Sequence, residues 1–164
     1  MTIGIGLLGL GTVGAGVAGI LTSPEGRHPL VADLALKRVA VRDLNRPRPV
    51  ELPESILCTN PEAVIDDPAV DIVVEVMGGL EPARSLILRA IAAGKPVVTA
   101  NKAVIARYGE EIAAAAAEKG VYVLIEAAVG GGIPIIEPLK QSLGSNRIQR
   151  VSGIINGTTN YILS

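Results

Sequence analysis

The strongest constraint on the fold is an apolar stretch that runs straight into a glycine hexapeptide. Ile3 to Leu8 is uncharged and of strand length, and Gly9-Leu10-Gly11-Thr12-Val13-Gly14 follows at once in the spacing G-x-G-x-x-G. Residues 2–23 carry no charge, a run long enough to cross a bilayer. Seven glycines fall inside it, at 4, 6, 9, 11, 14, 16 and 19, and each costs roughly 0.5–1 kcal/mol relative to alanine in a helix interior. A buried strand, a glycine turn and a helix account for the same residues better than a membrane span. The helix is expected from Thr12 to about Leu21, where Val13, Val17, Ile20 and Leu21 recur at helical spacing.

The remaining chain repeats that alternation. Strands are expected at residues 36–41, 56–59, 71–76, 96–100 and 121–128, and helices at 61–66, at 83–91 with Gly94 beyond the end, and at 104–119 with Gly120 closing it. Residues 22–29 read as a polar turn and 45–53 as a proline-rich loop. The pattern predicts an α/β fold, a doubly wound, mostly parallel, Rossmann-like sheet with right-handed crossovers. After Gly130-Gly131-Gly132 the pattern changes: a helix is expected over 133–143 and a strand over 150–155. Residues 156–164 begin a further helix that stops without a cap, the pattern expected of a chain that continues. The expected organisation is a nucleotide-binding domain at 1–146 and the start of a second domain at 147–164.

Composition narrows the function. Apolar residues make up 49% and charged residues 19%, a globular balance rather than a disordered one. With a net charge of −1, no Trp, no Phe and three Tyr, the chain lacks both the basic patch and the stacking platform of a nucleic-acid binder. Cys58 is the only cysteine, which excludes an internal disulfide and a cysteine-built zinc site. With no signal-like basic start, a reducing cytoplasmic setting is expected, with neither membrane nor nucleic acid as partner. Cys58 reads as a buried apolar filler and His28 as a surface residue.

In a strand–turn–helix setting, Gly9 permits the tight turn, Gly11 lets the backbone approach a phosphate and Gly14 lets helix and strand pack closely. The amides of Thr12, Val13 and Gly14, at the positive end of the helix, would face a pyrophosphate. A ligand-free β-to-α turn is the plain alternative. The second strand ends in Val41-Arg42-Asp43, where Asp43 would accept from the ribose 2′-hydroxyl of NAD and Arg42 would pair with the 2′-phosphate of NADP. A surface Arg–Asp pair is equally compatible.

Ligands of such sheets lie beyond the carboxyl ends of the strands, which singles out Gly78, Gly79, Asn101, Lys102 and residues 126–132. Lys102 would hold a substrate oxygen or transfer a proton, or else be a solvated lysine opening a helix. Glu126, followed by a run of backbone carbonyls, offers the hard oxygen ligands of a cation, or else caps nearby N–H groups. No nucleophile elbow, Walker A loop or acidic/His metal cluster is present in the sequence.

Taken in order, Gly-Leu-Gly-Thr-Val-Gly (residues 9–14), Val-Arg-Asp (41–43), Glu-Val-Met-Gly-Gly (75–79), Val-Val-Thr-Ala-Asn-Lys (97–102), Glu-Ala-Ala-Val-Gly-Gly-Gly-Ile-Pro (126–134) and Asn-Gly-Thr-Thr-Asn-Tyr-Ile-Leu (156–163) resemble the homoserine dehydrogenases. The resemblance spans residues 3–164, and its last three motifs are the specific ones. It implies reversible hydride transfer between NADP or NAD and L-aspartate 4-semialdehyde, giving L-homoserine for threonine and methionine biosynthesis. It also implies that Lys102 stands beside nicotinamide and substrate, and that Gly157 and Thr158 touch the substrate. Glu126 with the carbonyls of Val129, Gly131 and Ile133 would match a monovalent cation site for sodium or potassium. The family's second domain supplies substrate-binding carboxylates, a second lysine and the main homodimer interface, and it is largely missing from these 164 residues. The expected role of this chain is therefore cofactor binding, with little or no turnover alone. A stand-alone NAD(P)-binding or redox-sensing module, and another amino-acid dehydrogenase, are the alternatives.

Overall fold

Side chains alternate between the two faces of the sheet in a computed structural model of the protein, which describes residues 2–154. Six strands, β1 (Ile3–Leu8), β2 (Leu34–Ala40), β3 (Leu57–Cys58), β4 (Ile72–Glu75), β5 (Val97–Thr99) and β6 (Val123–Leu124), pair in the order β3-β2-β1-β4-β5-β6, all parallel. Four helices connect them: α1 (Thr12–Thr22), α2 (Pro61–Ile65), α3 (Ala83–Ala92) and α4 (Lys102–Lys119). This is the expected Rossmann-like α/β sheet.

Ile5, Leu7, Val39 and Val74 pack on the face covered by Ala18 of α1, whereas Leu8, Ala40, Val73 and Val97 pack on the face covered by α2, α3 and α4. Both faces are thus buried, which is why the strands are mostly apolar, with Lys37 and Arg38 of β2 and Glu75 of β4 as the charged exceptions. Gly4 and Gly6 have a role the sequence did not reveal. A Cβ would stand 1.8 Å from the Ala69 carbonyl oxygen at Gly4 and 2.6 Å from Val64 Cγ1 at Gly6, so these two glycines let the α2 segment lie directly on β1.

Helix ends follow the residues. The Asn60 side chain accepts from the Glu62 amide and caps α2, the Asn101 side chain accepts from the Val104 amide and caps α4, and Gly120 closes α4 at φ +67°.

Several expectations are corrected. The buried face of α1 is Gly14, Ala15 and Ala18; of the four large residues expected to face inward, Val17 and Leu21 pack half-buried against the core, while Val13 and Ile20 are exposed. The sixth strand stops at Leu124, and residues Glu126–Ala128 form a 3-10 turn. Among the described residues its one neighbour, β5, is three residues long and pairs through Val97↔Val123 and Val98↔Leu124, which leaves it little ladder to extend along. Of the helix expected over 133–143, residues 136–142 are helical, ending in a π-type turn at Pro138–Ser142; Pro134 and Pro138 both lack an amide donor. Residues 150–154 are not strand. Cys58 is half-buried, and its thiol donates to the carbonyls of Asn60 and Val39. His28 is exposed, as expected. Among the described residues no helix is long and apolar enough to cross a membrane.

Candidate functional site

Strand order reverses at β1, whose chain continuation runs to α1 on one face while β4 connects to α3 on the other. At this switch point the carboxyl ends of neighbouring strands part and leave a crevice. A cavity of about 540 Å3 opens there, lined by Gly9 and Gly11 at one wall, Met77 and Pro82 at another, and Arg42 and Asp43 at its far end. A second cavity of about 650 Å3, sharing Gly11, Arg46 and Arg48 with the first, extends it along α1 past Thr12. Both volumes fall in the range of small-molecule sites.

The three glycines of the turn divide their work as the spacing predicts. Gly9 has φ +101° and would bring a Cβ to 3.0 Å from the Val76 carbonyl oxygen. At Gly14 a Cβ would lie 2.2 Å from the Gly9 carbonyl oxygen, so helix and turn touch backbone to backbone. A Cβ at Gly11 would meet nothing within 4 Å, which leaves open space where a ligand can approach the main chain. No side chain caps α1 and its first turn holds no acid. The amides at this helix start are therefore free for an anion, and they fit a pyrophosphate. Thr12 and Val13 are both exposed there.

At the far end, Arg46 and Arg48 join Arg42 in the cavity wall, two residues that the sequence pattern did not single out because they lie in the proline-rich loop. Asp43 accepts from the Asn45 amide through Oδ1 at 2.9 Å, and its carbonyl accepts from the Arg48 guanidinium. Arg42 and Asp43 do not pair with each other, and Arg42 forms no ion pair among the described residues.

Outside the lining of both cavities, Gly78 and Gly79 form an exposed turn with φ +75° and +76° after β4. Asn101 is buried, and its side chain is committed to the protein: Nδ2 donates to the Gly79 carbonyl at 2.8 Å and Oδ1 accepts from the Val104 amide at 3.2 Å. Lys102 follows as the exposed first residue of α4, beyond the end of β5. The structure therefore brings Gly79 and Asn101 into contact, with Lys102 next in sequence.

Glu126 does not end a strand. Its carboxylate accepts from the amides of Ile135 at 2.5 Å, Ile136 at 3.1 Å and Glu137 at 2.6 Å. These bonds, that from Ile135 foremost, hold its carboxyl below the usual value. That is the arrangement of an amide cap. Val129, Gly131 and Ile133 lie on the intervening loop, which turns at Gly130 and Gly131 with φ +73° and +62°. No cluster of three or more His, Cys, Asp or Glu able to hold a metal occurs among the described residues. Gly157 and Thr158 lie outside the described residues.

Comparison with known proteins agrees with this geometry. The family description "Homoserine dehydrogenase, NAD binding domain" matches residues 9–126, and "Homoserine dehydrogenase" matches residues 134–164. The homoserine dehydrogenase of Synechocystis sp. is 67% identical over 164 residues, covering 100% of this chain and 38% of that protein. That of Bacillus subtilis is 46% identical, covering 99% of this chain and 38% of that protein. The crystal structure of a homoserine dehydrogenase from Thiobacillus denitrificans superimposes with a TM-score of 0.84 at 50% identity, over 100% of this chain and 38% of that one. A hyperthermophilic archaeal homoserine dehydrogenase in complex with NADPH superimposes with a TM-score of 0.70 at 25% identity, over 88% of this chain and 50% of that one. The chain spans about 38% of the length of the curated relatives it matches. With the family description covering most of the chain and the glycine turn, crevice and strand order all in place, the chain belongs to the homoserine dehydrogenase family.

Proposed function

We propose that this chain forms the cofactor-binding part of a homoserine dehydrogenase, interconverting L-homoserine and L-aspartate 4-semialdehyde, and that its cofactor is NADP rather than NAD. The observation that carries the reading is the cavity at the strand-order reversal, with the uncapped start of α1 at its middle and three arginines at its end. The free amides of α1 suit a pyrophosphate. Arg42 and Arg46 outnumber Asp43, whose Oδ1 is already engaged by the Asn45 amide, while Arg48, held by the carbonyls of Asp43, Leu44 and Arg46, adds its charge to the wall; together they favour a 2′-phosphate over a 2′-hydroxyl. When bound, the nicotinamide supplies or takes up the hydride.

Lys102, at the start of α4, would hold the substrate oxygen and stabilise the charge that develops on it, with Gly157 and Thr158 touching the substrate. Orientation of the semialdehyde needs groups from an opposing wall, and the relatives are more than twice the length of this chain. A homodimer is expected for the whole protein. A sodium or potassium ion near residues 126–133 would rest on the carbonyls of Val129, Gly131 and Ile133, because the Glu126 carboxylate is already held by three amides.

The test is a calorimetric titration of the protein and its Arg42→Ala variant with NADP and with NAD. NADP binds more tightly to the wild type, and Arg42→Ala loses about 10- to 100-fold in NADP affinity, the worth of a charge-assisted hydrogen bond. NAD affinity stays within about twofold, since the missing contact is to a group NAD lacks. Equal losses for both would refute the assignment of the 2′-phosphate.

A further inference from the structure

Glu75 is the only fully buried charged residue among those described. It ends β4, and no lysine or arginine pairs with it among the described residues. Its charge is met by dipoles instead. Met77 N donates to Oε1 at 2.9 Å, Thr99 Oγ1 donates to Oε2 at 2.7 Å, and Asn101 Nδ2 lies 3.5 Å from Oε1. A second layer of bonds surrounds the first. The Asn101 amide donates to Thr99 Oγ1 at 3.0 Å, while the Asn101 side chain bridges the Gly79 carbonyl and the Val104 amide.

One carboxylate therefore ties together the end of β4, the Gly78-Gly79 turn and the first turn of α4. A buried carboxylate is an expensive way to fill a core, and a leucine-sized apolar residue would serve packing at least as well. What an apolar residue would not do is fix two loops at a set spacing through directional bonds.

We infer that Glu75 is a positioning residue: through Thr99 and Asn101 it sets the separation of the Gly78-Gly79 turn from the start of α4, and so the place of Lys102, the first residue of that helix. The inference rests on the dinucleotide reading and on the role proposed above for Lys102. It also gives Asn101 the role of a bridge between loops, its side chain being turned into the protein.

The experiment compares wild type, Glu75→Leu, Glu75→Gln and Thr99→Val in the full-length protein by three measurements. These are amide exchange at Val104 without ligand, affinity for 2′-phospho-ADP-ribose, which lacks the nicotinamide, and kcat for semialdehyde reduction with NADPH. Glu75→Leu and Thr99→Val should speed exchange at Val104 and lower kcat by about 10- to 100-fold, the range for a displaced catalytic group. They should leave 2′-phospho-ADP-ribose affinity within about twofold, because its sites lie on β1, α1 and the arginine loop. Glu75→Gln, which keeps an acceptor for Met77 and Asn101, should recover most of the loss. Thr99→Val removes one bond from a near-isosteric side chain, so the question survives if Glu75→Leu does not fold. Unchanged Val104 exchange and kcat overturn the inference, as does a parallel fall in affinity and kcat, the mark of a merely structural role. A wild-type protein that binds neither NADPH nor 2′-phospho-ADP-ribose overturns the dinucleotide reading itself, and the inference with it.

Discussion

Gly11 and Gly14 stand three residues apart in one turn, yet a side chain would do different damage at each. At Gly11 it points into open space and at Gly14 into the Gly9 carbonyl. Gly11→Val should leave the melting temperature nearly unchanged and abolish dinucleotide binding. Gly14→Val should cost about 1–3 kcal/mol or more from overpacking, lowering the melting temperature before any question of binding arises. Thermal melts with calorimetry separate the two, and the reverse pattern would contradict the assigned roles. Glu126 gives a residue-scale prediction in pH. Its folded carboxyl titrates below the ordinary value of 4.5, because the ionised form accepts three amides. A depressed value means stabilisation that is present in full above the unfolded value and is lost as pH falls through the folded one. The carboxyl carbon of Glu126, followed by NMR, should therefore show a midpoint below 4.5. Exchange of the Ile135 and Glu137 amides should quicken across the same range, and Glu126→Gln should abolish that pH dependence.

Among the elements, α3 and α1 show how far periodicity alone reaches. Ala83, Leu86, Ile87, Ala90 and Ile91 of α3 repeat at helical spacing and all are buried. In α1 the same reasoning selected Val13, Val17, Ile20 and Leu21, of which Val17 and Leu21 pack half-buried on the core and Val13 and Ile20 are exposed, the closest contact being made by Gly14, Ala15 and Ala18. Ile87→Ala should cost about 2–5 kcal/mol and Val13→Ala less than about 0.5 kcal/mol, measured by denaturant unfolding. Similar losses at both sites would mean that α1 presents its large residues to the core after all. The short elements were less legible for a related reason. How far β6 runs is set by the three residues of β5, and nothing in residues 121–128 encodes the length of a neighbour. Proline, by contrast, was present to be read at 134 and 138, and local propensity there outweighed apolar spacing.

For the molecule as a whole, the parallel sheet and its helical covers were legible because both faces are buried and the strands are mostly apolar, Lys37 and Arg38 of β2 and Glu75 of β4 apart. The middle of the crevice was legible too, since the glycine turn is a local signal. Its two ends were less so. Arg46 and Arg48 come from a loop whose course no pattern predicts, and Glu75 looks in sequence like any acid at a strand end, its burial being a product of long-range pairing with β5. That β1 lies between β2 and β4 has a kinetic consequence. Made before both of its neighbours, β1 gains one of them only after residue 34 and the other only after residue 72. During synthesis, the segment bearing the glycine turn must wait with an open apolar edge until residue 72 and the rest of β4 have been made. The part of the protein most committed to its ligand is thus also the part for which a holding chaperone matters most.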